Sequence, residues 1–145
     1  MRKVLLVMLL LSAGLNGCKI KSVEDPQPEY IVGEWRLERA EVESVPYDVG
    51  DCIRRSVMYF SSNHNAHSII YTVNPTSNRC EIHLEHEGKW VFEDDKWFII
   101  VEKENGHDLI PNQRKEMIFT DPSHAYTNEV IEGYRVRLFF YKVEE

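Results

Sequence analysis

The chain has 145 residues, 43% of them hydrophobic, and a formal net charge of −7. With 24 acidic residues against 17 Lys and Arg, it offers no basic surface for a phosphate backbone, so no nucleic-acid partner is expected. Self-repulsion keeps such a surface solvated and apart, and it also opposes lying flat on anionic lipid.

In chain order, Arg2 and Lys3 precede a continuously apolar run, residues 4–11. The run has the length of a signal-peptide core and is too short to span a bilayer. Small residues follow, and then Leu15-Asn16-Gly17-Cys18. This resembles a bacterial lipobox: an apolar residue, a small Gly, and the cysteine that takes the lipid. The resemblance implies removal of the signal peptide, residues 1–17, and lipidation of Cys18 with palmitate-type acyl chains. A lipoprotein of this kind is held on the membrane by two or three chains, each buried methylene contributing roughly 0.8 kcal/mol. Lys19 follows the cysteine and no Asp does. By proteobacterial sorting logic, that places the anchor in the cell envelope at the outer membrane. The mature chain would keep 15 basic and 24 acidic residues, a net charge of −9.

Residues 18–30 carry the lipidated Cys and a flexible tether, polar and broken by Pro26 and Pro28. Residues 31–145, about 115 of them, suffice for one domain with a real core and not for two. They read as strands and turns. "GEWRLERAEVES" alternates, "SVMYF" follows Cys52, and the polar turn "SSNHNA" leads to "HSIIYTV". "EIHLEH" alternates, "EG" turns into "KWVF", and "EDD" turns into "KWFIIVE". "ENG" opens a long connection through Pro111, "EMIF" is a short strand, "TDPSHAYTN" is a turn region, and "EGYRVRLFFYKV" closes the chain. In this last strand Tyr134, Val136, Leu138 and Phe140 share one face, and Arg135 and Arg137 the other. Many short strands with regular turns predict an all-β antiparallel barrel or sandwich.

Three cysteines are an awkward number for an exported chain. If Cys18 carries lipid, Cys52 and Cys80 remain, and an oxidising compartment would join them. The alternative is two free buried thiols. There is no C-x-x-C to suggest a redox-active pair.

The stretch "IVGEWRLE" resembles the Gly-x-Trp opening of lipocalins and the wider calycin group. "GKWVFEDDKWFII" is similar to the internal unit of small lipocalin-like lipoproteins common in Bacteroidetes, which also tend to carry a lipobox and two cysteines placed as Cys52 and Cys80 are. The resemblance covers residues 31–143 and implies a small up-and-down β-barrel. In that pattern Gly33 lets the chain bend into the barrel, and Trp35 plugs its bottom. An Arg of the last strand packs over the Trp; Arg135 and Arg137 are the candidates, and Arg137 is favoured.

No catalytic chemistry is legible. Six histidines, His64, His67, His83, His86, His107 and His124, invite a metal reading, but His83 and His86 point to opposite faces of a strand. Glu93, Asp94 and Asp95 sit in a turn. There is no nucleophile elbow and no phosphate-cradling Gly loop. We therefore expect no enzyme activity, no cofactor and no metal.

Two functions fit. The first is non-enzymatic binding of a small apolar or amphipathic ligand in a cup lined by Tyr59, Tyr71, Trp90, Trp97 and Tyr134. The hairpin "SSNHNAHS" and a loop over residues 103–115 would frame its mouth. The second is a protein-interaction module, such as an inhibitor, an immunity protein or a surface-complex subunit. The short strands carry bulky apolar residues, which predicts a largely filled interior.

Overall fold

The computed structural model describes residues 29–144. The signal segment, Cys18 and the tether up to residue 28 lie outside the described residues. Nine strands follow a 3-10 turn at Glu29–Ile31: β1 (Gly33–Val42), β2 (Val45–Tyr47), β3 (Val57–Phe60), β4 (Asn65–Val73), β5 (Cys80–Glu93), β6 (Lys96–Glu104), β7 (His107–Asp121), β8 (His124–Ile131) and β9 (Tyr134–Lys142). A single helical turn, α1 (Gly50–Ile53), lies between β2 and β3. Every neighbouring pair is antiparallel, and β1 pairs with β9 to close the sheet. Eight strands, β1 and β3 to β9, therefore form an up-and-down barrel, with β2 as an appended hairpin arm.

Four connections are two-residue turns with both residues at positive φ: Glu43 and Ser44, Asp94 and Asp95, Asn105 and Gly106, Glu132 and Gly133. Such turns match the right-handed twist of the strands they join. Glu93 and the two aspartates are thus turn residues, as the sequence suggests.

The barrel has two distinct poles. At the closed pole the chain comes in through Glu29–Ile31, and short turns join β3 to β4, β5 to β6 and β7 to β8. Trp35 is fully buried there, and its Nε1–H donates to the Ile31 carbonyl at 2.9 Å. Gly33, at φ 133°, makes the bend, and a Cβ on it would come within 3.1 Å of the Lys142 side chain. Aromatic rings fill the space above. Phe119 meets Trp35 edge-on with centroids 5.4 Å apart, Tyr30 at 5.3 Å and Trp97 at 6.3 Å. Trp97 in turn packs on Phe92 and Trp90. Tyr30, the last residue of the expected tether, is therefore part of this plug.

At the open pole the wall divides. β7 and β8 pair only from Met117↔Thr127 down to Asp121↔His124. β3 pairs with β4 no higher than Val57↔Ile69, so the upper part of β4 has no strand on that side. The upper wall is thus two leaves, β2-β1-β9-β8 and β4-β5-β6-β7. Local devices bridge the two gaps. Lys115 Nζ lies 3.2 Å from Glu129 Oε2 across the first. α1 fills the second, where the Tyr71 N–H donates to Ser56 Oγ at 3.1 Å and the Cys52–Cys80 disulfide ties α1 to β5.

Three expected elements differ. Glu87 and Gly88 lie inside one long β5, opposite a bulge at Glu102 of β6, and are not a turn between two strands. Gly88 is needed there because a Cβ would sit 1.8 Å from the Ile100 carbonyl oxygen. Residues 103–115 are no loop but a hairpin arm of β6 and β7. Its pairing passes directly from Val101↔Gln113 to Lys103↔Asp108, so residues 109–112 bulge out opposite Glu102. The turn expected over "TDPSHAYTN" is confined to Pro122 and Ser123, and His124 already starts β8.

Candidate functional site

The five residues expected to line a cup do not converge. Trp90 and Trp97 point inward but are core. Trp90 Nε1–H donates to the Ser61 carbonyl at 2.9 Å, and its ring stacks on His64 at 4.2 Å. Tyr59 is exposed on the outer wall and stacks on His67. Tyr71 alternates to the same outer side, next to α1, and Tyr134 stands exposed at the open rim. The cup fails because the β4 alternation that carries Ala66, Ser68 and Ile70 inward sends Tyr71 outward. The two segments expected to frame a mouth lie at opposite poles, with "SSNHNAHS" at the closed one and 103–115 at the open one.

The interior is packed. A small void in the wall, lined by Met58, Phe60, Ala66, His67, His86, Glu87 and their neighbours, measures about 10 Å³. That is room for a single water. A larger depression of about 450 Å³ lies on the outer wall beside the β6 bulge, among His67, Glu85, Glu87, Glu102 and Lys103. It is open to solvent, and its charges are largely paired: His67 with Glu85 at 2.7 Å, Lys89 with Glu102 at 3.8 Å.

Arg137 does not cover Trp35. It faces outward, 4.9 Å over the Tyr126 ring, and its Nε–H donates to Asn128 Oδ1. Arg135 is also outside, paired with Glu43 at 2.8 Å. The register explains this. Trp35 pairs with Lys142, seven residues below Arg135 on β9. Lys142 is thus the last-strand cation at the plug, and its Nζ donates to the Tyr30 carbonyl at 2.8 Å.

Three histidines meet carboxylates one at a time: His67 with Glu85, His86 with Glu104 and His124 with Asp121. His86 is buried and His83 exposed. Among the described residues, no three His, Cys, Asp or Glu side chains form a group that could hold a metal ion.

Polar interior groups lie toward the open pole. Besides Lys115 with Glu129 and His86 with Glu104, Thr127 is 3% exposed and its hydroxyl has no hydrogen-bond partner. Alternation also carries large apolar side chains beyond the core there. Val45, Tyr47, Val73, Ile82, Ile110, Val130, Ile131 and Tyr134 are all exposed at this pole, Ile110 at 93%. The sequence shows each of these residues, but only the register shows that they share one end.

The leaf carrying β1 and β9 is clamped at its tip. The Glu43 carboxylate accepts from the Arg135 backbone N–H at 2.7 Å and from its guanidinium at 2.8 Å. The guanidinium hydrogen bonds, and then the backbone one, hold the Glu43 carboxyl below its usual range. The sign follows. The clamp is fully formed above the ordinary carboxylate range and is lost as pH falls through the depressed folded value. At the closed pole, the Ser123 N–H and then His124 depress Asp121 in the same direction.

No protein-family model matches the chain, and no curated protein does. Among solved structures, a redesigned β-barrel is similar at a TM-score of 0.48, with 10% identity over 80% of this chain and 94% of that one.

Proposed function

We propose that this protein is a non-enzymatic envelope lipoprotein. In this reading residues 1–17 are removed and Cys18 is lipidated. The barrel, of the lipocalin-like calycin type, works as a protein-interaction module. The observation that carries the choice is an interior filled by large buried side chains. A small-molecule cup needs on the order of 300 Å³ or more with apolar walls. Here Trp35, Trp90, Met117 and Val101 occupy that volume. A shared fold supplies no ligand by itself.

The test titrates the mature chain, carrying Cys18→Ser to keep it free of lipid, with fluorescent fatty-acid and retinoid-like probes. We expect no saturable binding. One-to-one binding at micromolar affinity would overturn the packed-barrel reading and restore the small-ligand one. The same substitution tests the anchor, since the variant should leave the membrane fraction.

A further inference from the structure

We propose that the inner face of the β2-β1-β9-β8 leaf at the open pole is the docking surface, and that its occupant is a protein with an apolar protrusion bordered by Lys or Arg. The inference rests on the interaction-module reading and names the surface and the partner's chemistry.

The surface is continuous by register. Val45 pairs with Val42, Val42 with Val136, and Val136 with Glu129. One step above this row, Tyr134 pairs with Ile131, and one step below, Tyr47 pairs with Ala40. All these side chains alternate to one side of the leaf. Lower down the same face is core, with Ala40, Phe140 and Val136 buried. Higher up it has lost its opposite wall, because β8 has parted from β7 and β2 has no strand beyond it. Val45, Tyr47, Ile131 and Tyr134 are left 49–64% exposed. A contiguous apolar face of this kind, rimmed by polar residues, marks an interaction site. It is also fixed in place, since the Glu43–Arg135 clamp holds the β1–β2 tip against β9.

The rim points to the occupant. Asp48 and Asp51 stand beside Tyr47 and share one cation, Arg54, at 3.7 and 3.8 Å. Glu132 lies at the β8–β9 tip, and Asp108 on the facing arm. Among the described residues neither forms an ion pair. Arg55 and Arg79 flank the disulfide as Asp51 does, so four carboxylates, Asp48, Asp51, Asp108 and Glu132, stand against three arginines here. An excess of carboxylate at the lip selects a partner with basic residues around its apolar part. It disfavours anionic lipid, and it disfavours a second copy, whose own acidic lip would meet this one. β2 does not invite strand addition either: Pro46, midway along it, has no N–H to offer at the free edge.

The experiment places a photo-crosslinking amino acid in the full chain, in its own cells, at Tyr134 or Tyr47, and for comparison at Tyr141 or Tyr59 on the outer wall. We expect adducts from Tyr134 and Tyr47 alone, to an apolar peptide flanked by Lys or Arg. Ile131→Asp, made in the Tyr134 chain, should lower the yield about tenfold, as loss of a central contact does. Folding of that variant is checked by its near-ultraviolet circular dichroism. An adduct with a second copy, an adduct with lipid, or a partner peptide with an acidic border would each overturn the proposal. Adducts from Tyr141 or Tyr59 alone would overturn this surface and leave the interaction module standing. Adducts from none of the four positions would overturn both.

Discussion

The two poles of the barrel are built from the same chain and the same strands, yet they are held differently. At the closed pole, contact is side chain on side chain: Trp35, Phe119, Trp97, Phe92 and Trp90 form one aromatic stack, and the Trp35 and Trp90 indole N–H groups each reach a carbonyl. At the open pole the strands part. What joins the leaves there is a disulfide, an ion pair and one hydroxyl-to-backbone hydrogen bond. Burial stabilises the first pole, and the two indoles and Lys142 supply polar links to backbone carbonyls there. The second depends on a few discrete links, and its apolar residues are left facing water. A barrel can thus be closed and well packed at one end while presenting a ready surface at the other.

The largest expected effect breaks the closed pole. Trp35→Ala removes a fully buried indole and strands the Ile31 carbonyl, so it should cost about 3–5 kcal/mol in urea unfolding. A loss below about 1 kcal/mol would mean the aromatic stack is not what closes the barrel.

The next effect is confined to the open pole. Replacing both Cys52 and Cys80 by Ser frees a link between residues 28 apart. The chain-entropy model puts that at about 3–4 kcal/mol. The location of the change is more telling than its size. Hydrogen exchange should quicken in α1 and in the upper parts of β4 and β5, while Trp35, Phe119 and their neighbours stay protected. Uniform loss of protection would show that the poles unfold as one unit and that the comparison has no energetic content.

How much of this was legible in the sequence divides along the same line. The period-2 alternation of β1, the start of β5 and β9, with the short turn around Asp94, carried the fold class. Two segments were divided wrongly. Gly88 read as a turn because its neighbour is Glu87, although what requires a glycine is the Ile100 carbonyl, contributed by another strand. β8 was hidden because "HAYTNEVI" carries Asn128 and Glu129, and Glu129 faces inward only to meet Lys115. The plug residues Gly33 and Trp35 were legible from their own chemistry. Their cation was not, because alternation says which face a residue takes and not how high on the strand its partner sits. For the same reason the five cup residues could not be sorted into core, wall and rim. Pairing register and bulge positions decide that, and both are long-range properties.

The smallest effect sharpens the boundary between the poles. Thr127 sits where the aromatic packing ends, paired with Met117 on β7 at the last point where β7 and β8 hold together. Its neighbours on the same face of β8 are Ala125 on the closed side and Glu129 on the open side. The hydroxyl is buried without a partner, a state that costs about 1–3 kcal/mol when no water reaches it. Thr127→Val keeps the β-branched shape that suits a strand and removes only the unmet group. If dry packing extends this far, the variant should be more stable by about 1 kcal/mol, read as a higher urea midpoint at unchanged m-value. If instead water enters from the open pole and satisfies the hydroxyl, the substitution removes a bonded group and stability falls. The sign of one small number therefore locates the level at which the interior changes from closed-pole packing to open-pole chemistry.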